Sequence, residues 1–289
     1  VTDVRPRRSA LYVPGANPRA LEKAPSLDAD VIIVDLEDAV APSAKEDARR
    51  AAVEAVRRGM GRSEVVLRVN GAGTPWARAD LAAAAGSGAD AVLLPKVDGP
   101  EVVREAERFL AASGAPESLA LWAMVETPRG VLRAVEVAAS SARLRCLVAG
   151  TSDLVKDLRA RHTARRTEVL VSLSLVVLAA RASGLAALDG VHLDLADDQG
   201  FAEACRQGRD LGFDGKTLIH PRTVAAANLA FAPGVEDIAA ARRVIEAHAA
   251  AEAAGRGVVV VDGRLVESLH VAEAHRVVAL AAAIAARHG

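Results

Sequence analysis

Cysteine is nearly absent. Cys146 and Cys205 are the only two in 289 residues, too few for a disulfide framework or a cysteine-based zinc site, so both are expected as reduced, small core residues. An excess of one charge is lacking too: 36 Lys and Arg face 37 Asp and Glu, a net charge of −1, which gives nucleic acid no polyelectrolyte surface to bind. The longest nearly apolar stretch, Val169 to Ala180, carries two serines and falls short of the roughly 18–20 residues that cross a bilayer. Arg5, Arg7 and Arg8 are followed by no hydrophobic run, unlike a secretory signal. The expectation is a cytoplasmic protein with neither nucleic-acid nor membrane partners.

Two motif absences narrow the chemistry. No G-x-G-x-x-G follows an early strand, which argues against a doubly wound dinucleotide-binding sheet, the structural alternative for a chain of this pattern. The seven histidines show neither H-x-x-x-H nor H-E-x-x-H spacing, which argues against zinc.

The composition is otherwise globular, with 51% hydrophobic and 25% charged residues. Short β-rich runs alternate with longer alanine-rich helical segments, the pattern of parallel strands joined by crossover helices. Eight such runs are read at Leu11–Pro14, Val31–Glu37, Val65–Asn70, Ala91–Lys96, Leu121–Glu126, Cys146–Gly150, Gly190–Asp194 and Gly215–Ile219. Eight units favour an α/β fold of the (β/α)8 TIM-barrel type, assigned to residues 1–225. Residues 226–289 are surplus to it. They read as a C-terminal extension of helix, hairpin and helix, with Asp262-Gly263 as a type I′ turn pair, serving as a cap, lid or oligomer contact.

In a parallel barrel the reacting groups sit at the carboxyl ends of the strands. Here those ends are polar: Asp35, Glu37 and Asp38 after strand two, Arg68 and Asn70 after strand three, Lys96 after four, Glu126 after five, and Gly150-Thr151-Ser152-Asp153 after six. An ion-paired rim is the plain structural explanation. Against it, these charges end apolar runs, whereas strand beginnings mostly follow Gly, Ala, Ser or Asp, with Arg143, Arg145 and Asp189 as exceptions. Convergent carboxylates repel one another unless a cation lies among them, and oxygen-only donors suit Mg2+ or Mn2+. An arginine beside such an ion grips a carboxylate by two parallel N–H···O bonds, and Arg68 is the candidate. Together they describe a site for a 2-oxo or 2-hydroxy acid.

The stretches Arg8-Ser-Ala-Leu-Tyr-Val-Pro-Gly15, Asp35-Leu-Glu-Asp-Ala-Val40, Leu67-Arg-Val-Asn70, Leu94-Pro-Lys-Val97, Val125-Glu-Thr127, Gly212-Phe-Asp-Gly-Lys216 and Ile219-His-Pro221 resemble, in order and spacing, the citrate lyase β-subunit-like and malyl-CoA lyase branch of the HpcH/HpaI aldolase superfamily. The resemblance covers nearly the whole chain. It implies a (β/α)8 barrel, trimeric or hexameric, that cleaves or forms 3-hydroxyacyl thioesters such as malyl-, methylmalyl- or citryl-CoA, releasing a 2-oxo acid and an acyl thioester carried on CoA or an acyl carrier protein.

By match to the family motifs, Glu126 and Asp153 would ligate magnesium and Arg68 would clamp the substrate carboxylate. Glu37 and Asp38 would hold metal-bound water and orient the site, and backbone amides of the Gly150, Thr151, Ser152 and Asp153 loop would bind the carboxylate. In malyl-CoA lyases an acid in a C-terminal Met-Ile-Asp motif moves a proton in a neighbouring subunit's site. Here the segment reads Leu265-Val-Glu267, so Glu267 stands where the family has aspartate, with a surface position at the start of the last helix as its alternative.

The remaining candidates divide between function and scaffold. Arg19 and Lys23 are read either as contacts to CoA phosphates or as solvated charge. Lys96 is read as a partner of Asp35 or Glu37 near the substrate rather than a nucleophile, because a thioester reaches its enolate without a Schiff base. His220 reads as a rim histidine, Asp194, Asp197 and Asp198 as caps, and Trp76 and Trp122 as packing. Competing functions are a metal-dependent aldolase on free 2-oxo acids, a malyl-CoA thioesterase, and a non-catalytic regulatory relative.

Overall fold

The computed structural model describes residues 4–255 and 258–288. Within them β1 (Ser9–Pro14), β2 (Val31–Asp35), β3 (Glu64–Arg68), β4 (Ala91–Leu94), β5 (Ala120–Val125), β6 (Leu144–Ala149), β7 (Ala186–Asp189) and β8 (Gly215–Leu218) are parallel and close into a barrel. The helices that alternate with them are α1 (Pro18–Lys23), α2 (Lys45–Arg58), α3 (Ala77–Ala85), α4 (Pro100–Ala112), α5 (Pro128–Leu132), α6 (Ala134–Ala138), α7 (Thr151–Asp157), α8 (Leu170–Ala182), α9 (Asp198–Leu211) and α10 (Val224–Phe231). The fold is the expected TIM barrel.

Side chains alternate across each strand, and the strands are apolar on both faces because both are covered. One set, including Val31, Ile33, Val66, Leu93, Trp122, Met124, Cys146, Val148 and Leu188, fills the barrel interior. The other set, including Ile32, Val34, Leu67, Val92, Leu121 and Leu147, packs toward the helices. The same alternation matters for the site: two residues beyond Ile33, Val66 and Met124 come Asp35, Arg68 and Glu126. Both cysteines are buried free thiols, as expected.

The seam closes where β8 pairs with β1 through Ser9↔Lys216, Ala10↔Thr217 and Leu11↔Leu218. From α10, Asn228 clasps it, accepting from Ser9 Oγ at 2.7 Å and donating Nδ2 to Asp28 O at 2.7 Å.

The seventh strand departs from expectation. It runs over Ala186–Asp189, not Gly190–Asp194. Its Ala-Ala-Leu run has the composition of a helix, and only burial between neighbouring strands makes it a strand. Asp189 therefore ends a strand instead of beginning one. Its carboxylate, fully buried, accepts from Lys216 Nζ at 2.8 Å and from Arg166 Nη1 at 2.7 Å. Asp197 caps α9 by accepting from Gly200 N at 2.8 Å, and His220 Nδ1 accepts from Arg222 N at 3.2 Å, both structural roles.

A second compact unit comprises the chain from Ala232 onward with residues 4–6, while Arg7–Phe231 form the barrel unit; the boundary expected between 225 and 226 falls inside α10. The second unit contains α11 (Val235–Ala253), a hairpin of β9 (Val259–Val261) and β10 (Arg264–Val266), and α12 (Ser268–His288). The hairpin turns at Asp262 and Gly263, both at positive φ (49° and 77°), as a type I′ turn requires. α12 has the length and mean hydropathy, 1.4, of a membrane-crossing helix. It also carries a Glu273–Arg276 ion pair at 2.6 Å.

Candidate active site

At the carboxyl end of the strands, register makes the first pair. Asp35 and Arg68 are direct partners across β2 and β3, and both point into the barrel mouth. Arg68 donates Nε to Asp35 Oδ1 at 2.6 Å and Nη2 to Oδ2 at 2.7 Å. The fork is bidentate and buried, a strong charge-assisted pair. Its third corner, Nη1, stands 3.1 Å from Glu37 Oε2 and 3.7 Å from Asp38 Oδ2. The guanidinium lies 4.7 Å over the Tyr12 ring, a cation–π contact that keeps its plane fixed. Asp35 also accepts from Glu37 N at 2.9 Å and Ala39 N at 3.1 Å. Its oxygens thus hold the turn that presents Glu37.

Lys96 follows β4 with φ at +51°, a left-handed backbone that costs a non-glycine residue energy and is held where the surroundings over-determine it. That bend sends its N–H to Glu126 Oε1 at 2.7 Å while its ammonium bonds Glu37 Oε1. The ammonium also lies 3.6 Å from Asp38 Oδ1 and 3.9 Å from Asp153 Oδ2. Lys96 thus pairs with Glu37.

Glu126 extends the alternation of β5 one step past the strand and is buried, at 2% exposure. Asp153 stands in the first turn of α7. Between them Gly150 is obligatory, because an added Cβ would overlap the Glu126 side chain. Gly150 gives its N–H to Val125 O at 3.1 Å, so that amide serves the barrel, whereas those of Thr151, Ser152 and Asp153 open α7, where helix geometry supplies no acceptor.

The electrostatics report crowded acids. Burial, then the nearby Glu37 and Asp153 charges, push Glu126 up to about 7 against the bond from Lys96. Burial also raises Glu37, with Arg68 and Lys96 opposing. For Lys96, burial disfavours the ammonium, but the Glu37 bond and the charges of Asp38 and Glu126 prevail and hold its pKa above the usual lysine value. Glu37 Oε2 is buried, and Arg68 Nη1, 3.1 Å away, is not aligned to hydrogen-bond it.

Those facts fit a hard cation. The donors are carboxylate oxygens, they repel one another as they stand, and one buried oxygen is unsatisfied. Among the described residues no three His, Cys, Asp or Glu side chains form a metal cage by themselves. Two carboxylates, Glu126 and Asp153, suit magnesium, which keeps waters and substrate oxygens as the rest of its shell.

Arg19 and Lys23 lie exposed on α1, which leaves the end of β1. Glu267 belongs to the second unit, exposed before α12, with its N–H on His270 Nδ1 at 3.0 Å. Trp122 packs inside the barrel with Arg7 5.2 Å above its ring. Three residues escaped the sequence reading: Tyr12, the paired role of Asp35, and Lys45. The alternation of β1 carried the signal for Tyr12. For Asp35 the partner is distant in the chain, and for Lys45 the decisive one, Asn70, is too.

The family described as HpcH/HpaI aldolase/citrate lyase matches residues 8–221. The chain is 48% identical over 282 residues to a (3S)-malyl-CoA thioesterase of Cereibacter sphaeroides, covering 97% of this chain and 96% of that one. It is 38% identical to the citrate lyase subunit beta of Escherichia coli, with 91% and 89% covered. Among solved structures, the CitE protein of Mycobacterium tuberculosis in complex with magnesium, acetoacetate and coenzyme A superposes with a TM-score of 0.76 at 33% identity, over 96% of this chain and 100% of that one.

Proposed function

Because the chain belongs to the HpcH/HpaI aldolase/citrate lyase family, we propose that it is a magnesium-assisted enzyme acting on a 3-hydroxyacyl thioester of the malyl-CoA kind, with hydrolysis to the free acid and CoA as its net reaction. The observation that carries this reading is the excess of carboxylates at the mouth, with Glu126 and Asp153 both adjoining Lys96. The thioesterase relatives support hydrolysis as the outcome. The citrate lyase subunits support a second reading, cleavage or Claisen-type formation of the carbon–carbon bond beside the hydroxyl.

Magnesium or manganese held by Glu126 and Asp153 would supply Lewis acidity toward substrate oxygens. The chain's own groups do the rest. Arg68 offers Nη1, the corner that Asp35 leaves open, to the substrate carboxylate, and the amides of Thr151 and Ser152 add N–H donors. Lys96 brings positive charge to the same carboxylate while orienting Glu37. Glu37, made more basic by burial, accepts the proton, from water in hydrolysis or from the substrate hydroxyl in carbon–carbon cleavage. Asp38, exposed beside it, orders water. Arg19 and Lys23 meet the CoA phosphates, and Glu267 returns a proton. We place this chemistry in a cytoplasmic homotrimer or hexamer.

Malyl-CoA incubated with the purified protein, with Mg2+ or with EDTA, tests the reading. Free thiol appearing without glyoxylate identifies hydrolysis, and glyoxylate with acetyl-CoA identifies carbon–carbon cleavage. No turnover of any 3-hydroxyacyl thioester, alongside turnover of a free oxo-acid aldol, rejects both.

A further inference from the structure

Behind the mouth, on the helix side of β2, a lysine is buried where no substrate reaches it. Lys45 is the first residue of α2 and is 6% exposed. An ammonium has three N–H donors and no acceptor, and all three are engaged: Leu36 O at 2.8 Å, Glu37 O at 2.7 Å and Asn70 Oδ1 at 2.6 Å. Asn70 cannot turn away, because its Nδ2 donates to Leu36 O at 2.9 Å and Asp80 Oδ2 at 2.6 Å, and its N–H donates to the same Asp80 oxygen at 3.0 Å. Asp80 in turn accepts from Arg49 Nε at 2.6 Å.

The turn that carries Glu37 is therefore gripped from two sides by opposite charges. On the barrel side the Asp35 carboxylate takes the N–H groups of Glu37 and Ala39; on the helix side the Lys45 ammonium takes the carbonyls of Leu36 and Glu37. Donors and acceptors of the turn are thus separated by sign, the N–H groups on Asp35 and the carbonyls on Lys45. Burying an ammonium is costly and needs this full pairing. A helix packing on a strand does not need it, since alanine and valine on the rest of α2 do that work.

We infer that Lys45 is a positioning residue for Glu37, holding its carboxylate against Lys96 and Arg68 at the mouth. The consequence for catalysis rests on the functional reading above, whereas the geometric claim stands apart from it. Misplacing a reacting group by about 1 Å is enough to slow a reaction roughly a hundredfold, so the effect belongs in kcat. Lys45 touches no substrate, so KM stays near its native value.

A double-mutant cycle and two crystal structures test this. Lys45→Met is expected to lower kcat about 30-fold with KM within threefold, and to cost less than threefold more in a Glu37→Gln background, because the group it positions is already gone. Asn70→Ala, which leaves Lys45 in place with one bond fewer, is expected to lower kcat about fivefold and to show the same non-additivity; it decides the question if Lys45→Met does not fold. In crystals of either variant the Glu37 carboxylate should be displaced from Lys96 by about 1 Å or more. Equal losses with and without Glu37→Gln, a loss carried by KM, or an unmoved Glu37 carboxylate would overturn the inference. If the wild-type protein turns over no thioester, the functional reading fails and the crystal structures still decide the positioning claim.

Discussion

The two ends of the barrel carry buried charge in different ways. At the amino ends of β1–β3 two arginines each have a dedicated carboxylate. Arg8 donates Nε and Nη2 to Asp30 at 2.8 Å each, and Arg7 does the same to Glu64 at 2.6 and 2.9 Å. At the carboxyl ends Asp35, Glu37, Asp38, Glu126 and Asp153 share Arg68 and Lys96, and Glu37 Oε2 has an ion-pair neighbour but no aligned hydrogen bond. The first end is neutralised in place and serves stability. The second keeps an excess of negative charge, which a barrel tolerates only where a cation or substrate is to come.

That contrast can be broken or sharpened by substitution. Glu126→Gln and Asp153→Asn should each lower turnover at least about a thousandfold while the far-UV spectrum stays native; near-normal steady-state rates in either would detach the chemistry from these carboxylates. Glu37→Gln should reduce kcat about a hundredfold and leave Tm unchanged or slightly higher, since a crowded buried charge is removed.

At the other end the outcome should invert. Asp30→Ala strands the Arg8 guanidinium and should cost about 3–5 kcal/mol, or roughly 10 °C in Tm, with kcat of the folded protein unaffected; calorimetry and initial rates together check it. Mg2+ at about a hundred times its Kd should stabilise the wild type by about 2.7 kcal/mol and leave Glu126→Gln unmoved in a thermal shift. The smallest effect is expected from Glu267→Gln, about tenfold in kcat. An unaltered rate there would restrict Glu267 to the surface.

Much of this was legible in the sequence, and for a local reason. Where an apolar strand runs straight into charge, as at Val31 to Glu37 or Leu121 to Glu126, the alternation of side chains states both the strand and the group at its mouth. β7 was hidden because Ala186 and Ala187 carry no strand preference of their own, and only the closed barrel selects their conformation. Arg68 reads as a carboxylate clamp, and in the fold two of its donors belong to Asp35, a partner supplied by β2–β3 register. Lys45, the first residue of α2, carries no signal in the sequence that sets it apart from other charges on an amphipathic helix. Two of its acceptors, Leu36 O and Glu37 O, lie on the loop leading into α2, but the third, Asn70 Oδ1, is on the loop after β3, and only the folded chain brings all three to one ammonium.

The seam between β1 and β8 has a consequence for synthesis. The first strand leaves the ribosome some 10–40 s before the last, taking about 5–20 residues per second for the roughly 200 residues between them. Throughout that interval the backbone edge of β1 that β8 will cover, at Ser9–Leu11, is open to pairing with another chain. The clasp that finishes the cylinder, Asn228 on Ser9, forms only after α10 has emerged, so that edge stays uncovered until the last barrel strand and the helix behind it are made.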